Sequence, residues 1–157
     1  MVEFTISVTI NQQRQTVVKA FFNPANMIFW TKDLEKFEII KKKPGEIGAV
    51  IQLYYLQNNK SYIMKDELIA CEPGFAYLSK ISADDLTAMV ETSFIEQGKN
   101  TEIVMKWSGR GNSTYMNLSL YILKSKIAKQ AKRELNIFKN LVETRGSDFD
   151  IFHHKIG

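Results

Sequence analysis

Four ionisable side chains stand where the residue pattern turns inward, and they carry what chemistry the chain offers. Two lie on one long amphipathic segment, Tyr115 to Glu143. On a projection of 100° per residue from Leu120, Lys124 falls at about 40° and Glu134 at about 320°, both inside the apolar stripe. At roughly 15 Å apart along a helix they cannot pair with each other. Each needs a partner from the sheet, a ligand, or water at a cavity mouth. The other two lie on strands. Asp66 shares a face with Tyr62, Met64 and Leu68. Glu91 shares one with Met89 and Ile95, and the competing face of Val90, Thr92 and Phe94 is an equal candidate for the inside. A carboxyl withdrawn from water holds its proton to higher pH and can act as acid or base. The same side chains can also snorkel outward and do neither. Tyr77 adds a phenol as a further candidate polar group.

Other chemistry is thin. The two histidines, His153 and His154, stand in the terminal segment near Asp148 and Asp150, where no fixed metal site is expected. There is no GxSxG, no HExxH and no phosphate-cradling glycine loop, and Gly109-Arg110-Gly111 is too short a signal. No catalytic motif and no cofactor are expected. The single cysteine, Cys71, cannot make an internal disulfide, suits a reducing cytoplasm and reads as a buried, inert thiol. No run of apolar residues is long enough to cross a bilayer, and Met1-Val2-Glu3-Phe4-Thr5 lacks a signal-peptide pattern. A cytoplasmic protein without stable membrane insertion is expected.

The net charge of +4 is concentrated on the long segment and its exit, where Lys124, Lys126, Lys129, Lys132, Arg133, Lys139 and Arg145 oppose Glu134 and Glu143. A solvated outer face accounts for them, with cations favoured towards a helix C-terminus. Neither zinc-finger spacing nor an RRM-type aromatic motif is present, so nucleic acid is not expected.

These side chains need elements to hold them. Val2 to Ile10 alternates as a half-buried strand. Asn11 is a candidate cap for a short helix, Gln12 to Phe22. Asn23-Pro24 breaks that helix, and Pro24 opens a second one reaching Trp30 or Thr31. Six strands follow: Lys36 to Lys42, Gly48 to Leu56, Ser61 to Cys71, Phe75 to Ser82, Leu86 to Glu96 and Thr101 to Ser108. The turns between them include Pro44-Gly45, Gln57-Asn58-Asn59-Lys60, Glu72-Pro73-Gly74 and Gln97-Gly98-Lys99-Asn100, which predicts an antiparallel meander. Asn112 or Ser113 can cap the long helix, and Gly146 suits its C-terminal end. The helix stripe of Leu120, Leu123, Ile127, Ala131, Leu135, Phe138, Leu141 and Val142 must be buried against the sheet. Leu118 and Ile122 point away from it and suit either the short helices or a dimer contact. The chain reads as one domain, 1–157, with the tail 147–157 loosely held.

Several local patterns carry a resemblance. They are Phe22-Asn23-Pro24 with Trp30; Lys65-Asp66-Glu67-Leu68 followed by Glu72-Pro73-Gly74; Thr92 to Gln97 followed by Gly98-Lys99-Asn100-Thr101; Trp107 in the last strand; and the final helix. Over roughly residues 2 to 145 the chain resembles the START/Bet v 1-like (SRPBCC) superfamily, and within it the bacterial polyketide cyclase/dehydrase-like proteins. The resemblance implies an α+β helix-grip fold: a curved seven-stranded antiparallel β-sheet around a long C-terminal helix, with two short helices between strands 1 and 2. It also implies a cavity between sheet and helix. The expected lining is Trp30, Tyr55, Met64, Tyr77, Phe94, Met105 and Trp107, with Leu123, Ile127 and Phe138 from the helix and Lys124 and Glu134 as polar interruptions. Aromatic and thioether side chains suit an adaptable apolar pocket. Three functional expectations follow. The first is binding or transport of a small hydrophobic molecule (lipid or polyketide-like) by a monomer or homodimer. The second is a cyclase, dehydratase or isomerase using Asp66, Glu91 or Tyr77. The third is an interaction module like the Hsp90 activators.

Overall fold

The computed structural model describes residues 1–150. The alternating Val2–Ile10 forms strand β1, which pairs antiparallel with the last strand, β7, Asn100–Gly111. Between them run β2 (Leu34–Lys41), β3 (Val50–Gln57), β4 (Lys60–Glu72), β5 (Ala76–Ser82) and β6 (Leu86–Gln97). All seven join one sheet in the order β1-β7-β6-β5-β4-β3-β2, every pair antiparallel. Short polar turns set the register. Asn58 and Asn59 both take positive φ, 52° and 64°, the backbone that a tight hairpin requires and that Asn tolerates. Register shifts interrupt the pairing at Leu34/Lys36, Ile39/Lys41 and Leu68/Ala70, where added local twist helps the sheet to curve.

Because β1 and β2 lie on opposite edges, the chain between them must cross the face of the sheet. It does so as α1 (Arg14–Phe21), a 3-10 turn (Pro24–Asn26) and α2 (Met27–Trp30). The Asn23 side chain accepts the Ala25 N–H at 3.1 Å, and Pro24 starts the turn, so the two short helices meet at a fixed elbow. Asn11 does not cap α1. Gln13 stands at that position without a side-chain bond, and the Asn11 N–H instead donates to Glu143 at 2.7 Å.

The long helix α3, Thr114–Arg145, starts at Ser113, whose Oγ accepts the Met116 N–H, and ends at Gly146 with φ 71°. It lies mainly against β1 and β7. Only its second half follows the expected burial. Leu135, Phe138 and Val142 are buried, whereas in the first half Leu120 alone is. Leu123 is 40% exposed and Lys124 is exposed, so the stripe does not face protein there. The helix meets the sheet near both ends, where the Gly111 N–H donates to Asn117 and the Asn11 N–H to Glu143, but the side of the stripe that holds Leu123 and Lys124 is left uncovered, and periodicity is blind to which part of a stripe is covered. Leu118 and Ile122, at 64% and 78% exposure, do not cover the short helices.

The tail corrects a second expectation. Phe149 is fully buried, with its ring 5.7 Å from that of Phe138. Buried Asn26 holds it there: its Nδ2 donates to the Ala20 and Ser147 carbonyls, at 3.0 and 2.9 Å, and its Oδ1 accepts the Phe149 N–H at 3.0 Å. Of the tail expected to be loose, Phe149 is thus in the core and Ser147 is tied to Asn26, and residues 151–157 lie outside the described residues. His153 and His154 lie outside the described residues. Among those described, no helix is long and apolar enough to cross a membrane.

Candidate functional site

Period-2 alternation aims one side of each strand at the α1–α2 elbow. Ile51, Leu53 and Tyr55 come from β3; Met64, Asp66 and Leu68 from β4; Tyr77, Ser79 and Ile81 from β5; Val90 and Thr92 from β6; and Met105 from β7. The elbow answers with Phe21, Phe22, Pro24, Met27, Trp30 and Thr31, and the β2–β3 loop adds Pro44, Gly45 and Ala49. These residues enclose a pocket of about 240 Å³, open on one side. The helix α3 contributes one wall residue, Glu134.

An aromatic wedge explains why the pocket is separate from the core. Phe21 sits within 5.4 to 5.8 Å (ring centroids) of Phe94, Phe138 and Trp30, and Phe22 packs on Tyr77 at 4.3 Å. This cluster fills the space between the sheet and the second half of α3. The cavity therefore lies mainly between the sheet and the short helices, and the long helix, expected to form its wall, borders it at Glu134.

Asp66 is the more deeply seated of the two carboxyls that line the pocket. Cross-strand pairing sets it directly between Ile51 and Ile81. Burial there pushes its carboxyl up to about 6, with a hydrogen bond from Ser79 pulling the other way. Glu134 is also raised by burial, opposed by the Lys32 N–H, which donates to its Oε2 at 2.8 Å, and by Gln130. The partner that the sequence could not supply for Glu134 is thus a backbone amide just beyond α2. The Tyr55 phenol is raised by burial first, then by the charges of Glu134 and Asp66. Tyr77 points its hydroxyl elsewhere: the oxygen accepts the Gly74 N–H at 2.7 Å, closing the β4–β5 turn. The indole Nε1 of Trp30 is buried without a hydrogen-bond partner among the described residues.

Of the residues expected at the site, Trp30, Tyr55, Met64, Asp66, Tyr77, Met105 and Glu134 come together around this pocket. The others do not line it. Phe94 and Phe138 are buried in the aromatic core. Trp107 faces inward but stacks on Phe4 at 5.1 Å and lies so close over Gly109 that a Cβ there would come within 2.3 Å of its ring. Leu123 and Lys124 stand on the free half of α3, and Ile127 falls outside the wall. Glu91 is exposed on the outer face, because Val90, Thr92 and Phe94 take the inner one. Sequence reasoning missed the elbow residues Phe21, Phe22, Pro24 and Met27, although Phe21-Phe22-Asn23-Pro24 was recognisable as a bend. It also passed over the small and aliphatic members of strands whose other residues it had placed inside.

No protein-family model and no curated protein matches this sequence. Solved structures do. A conserved protein from Geobacillus kaustophilus is similar over 92% of this chain and 97% of that one, with a TM-score of 0.74 and 10% identity. The Zhui aromatase/cyclase from Streptomyces sp. R1128 is similar over 91% and 94%, with a TM-score of 0.72 and 13% identity. A START superfamily protein from Mycobacterium smegmatis is similar over 86% and 94%, with a TM-score of 0.70 and 9% identity. At such identities the likeness speaks for the fold alone.

Proposed function

We propose, starting from the helix-grip fold of the START/Bet v 1-like proteins, that this chain is a cytoplasmic binding protein for a small hydrophobic molecule. One observation carries the reading: the inward positions of five strands enclose space instead of filling it. Protein interiors ordinarily pack to crystal density, with few voids larger than a water. The wall is mostly aliphatic, aromatic and thioether, with few polar groups, as small-molecule sites are. The volume suits a compact molecule of one or two rings better than a long acyl chain. The Streptomyces relative is named for an aromatase/cyclase, and the M. smegmatis relative for the START superfamily; both names fit a fold that accommodates hydrophobic molecules.

Native mass spectrometry of the protein purified from its own host tests this. A retained small molecule, lost when Val90→Trp fills the cavity, is the expected result. No retained mass, together with no change in melting temperature across a panel of small aromatic and polyketide-like compounds, would overturn it.

Asp66 supports a second reading, acid/base catalysis in the same pocket. A carboxyl titrating near 6 is poised to exchange a proton at neutral pH. Turnover that Asp66→Asn abolishes while binding persists would establish it. An interaction module needs no cavity; the exposed Tyr115, Leu118 and Ile122 are the surface it would use.

A further inference from the structure

The charge inside the pocket has one sign. Its wall holds two carboxyl groups, Asp66 and Glu134, and no Lys, Arg or His. Tyr55 lies within electrostatic reach of both, from β3, while neither acid acts on the other. From outside the wall, the exposed neighbours Lys32 and Asp33 act on Glu134 with opposite sign. The remaining wall is apolar or aromatic, with Phe22, Trp30, Tyr55 and Tyr77 presenting rings.

Resting on the pocket reading above, we propose that the ligand is an organic base, an apolar ring body whose protonated nitrogen is held by the negative charge that Asp66 and Glu134 bring to the wall. A carboxylate ligand would bring another negative charge into a poorly hydrated space beside two existing ones. A neutral ligand would strip water from both acids without replacing it. A cation offsets that desolvation, and the aromatic faces add cation–π attraction.

Three probes on one skeleton separate the cases: 2-naphthylmethylamine, 2-naphthylmethanol and 2-naphthoate, titrated calorimetrically into the full chain at pH 7.5. The amine is expected to bind about tenfold or more tightly than the alcohol, a gap of one tenfold step in affinity, and the carboxylate most weakly. Asp66→Asn and Glu134→Gln should each shrink the amine-to-alcohol ratio. Glu91→Gln, which removes an outward carboxyl, should leave it unchanged. If the alcohol or the carboxylate binds as well as the amine, the organic-base proposal falls and the pocket reading stands. An amine preference that survives in the Asp66→Asn/Glu134→Gln double variant also overturns the proposal. If none of the three binds, the organic-base proposal falls, and the pocket reading is decided separately by the retained-ligand measurement.

Discussion

At the scale of single residues, Asp66 sets a pH dependence whose sign is unusual. Its carboxyl is raised from 3.8 to about 6 in the folded chain, so the folded state holds a proton that the unfolded state releases. The penalty for ionising it is absent below about pH 4 and complete above about pH 6. Stability therefore falls as pH rises across that window, and raised Glu134 slopes the same way. Asp66→Asn should flatten the decline and gain about 3 kcal/mol above pH 6, from 1.36 kcal/mol per pKa unit. Urea midpoints measured from pH 4 to pH 7.5 check this; a parent profile that rises with pH while the variant's does not would refute the assignment. Tyr77 behaves differently. Tyr77→Phe removes the bond from Gly74 and should cost about 1 kcal/mol without changing ligand affinity, because the hydroxyl is engaged at the turn. Alternation put Asp66 on one face with Tyr62, Met64 and Leu68, but a strand's own pattern does not say whether that face looks inward, and only the pocket decided it. Lys124 was misread because a helical projection assumes a partner along the whole helix. The face of Glu91 was undecidable until β6 was seen between β5 and β7, with Thr92 set between Tyr77 and Met105.

Among the elements, α3 and the tail show what periodicity captures and what it misses. Ser113, Gly146 and the apolar repeat gave both helix ends to within two residues of Thr114–Arg145. Which part of the stripe the sheet and the short helices cover is a tertiary fact that the repeat does not encode. Leu118→Ser/Ile122→Ser should therefore leave the stability of the isolated chain within about 0.5 kcal/mol, as for substitutions on open surface. Denaturant titration at low protein concentration checks it, and a loss of several kcal/mol would show that this face is covered. The Asn26 clamp was equally hidden, since one buried amide ties the end of α1 to the tail, 121 and 123 residues further on. Asn26→Ala strands two carbonyls and one N–H and should cost about 3 kcal/mol, at roughly 1 kcal/mol for each lost bond. A cost below 1 kcal/mol, read from the unfolding midpoint, would mean that the tail is not held as described.

For the whole molecule, the order of elements was readable, and the strand order followed from hairpins plus the closing of β1 on β7. The position of the empty space was not readable. It depends on the wedge of Phe21, Phe22, Phe94 and Phe138, which seals the sheet against the second half of α3 and leaves the cavity under the elbow. Side chains such as Phe94 and Met64 look alike in sequence, and only packing decides which fills and which lines. The methionines now give a direct test, because Met27, Met64 and Met105 line the pocket while Met1, Met89 and Met116 do not. Methyl resonances of the six can be followed during titration with 2-naphthylmethylamine and 2-naphthylmethanol. Saturable shifts at Met27, Met64 and Met105, with Met1, Met89 and Met116 unmoved, are the predicted result. Shifts confined to Met1 and Met116 near the free half of α3 would contradict a ligand pocket under the elbow.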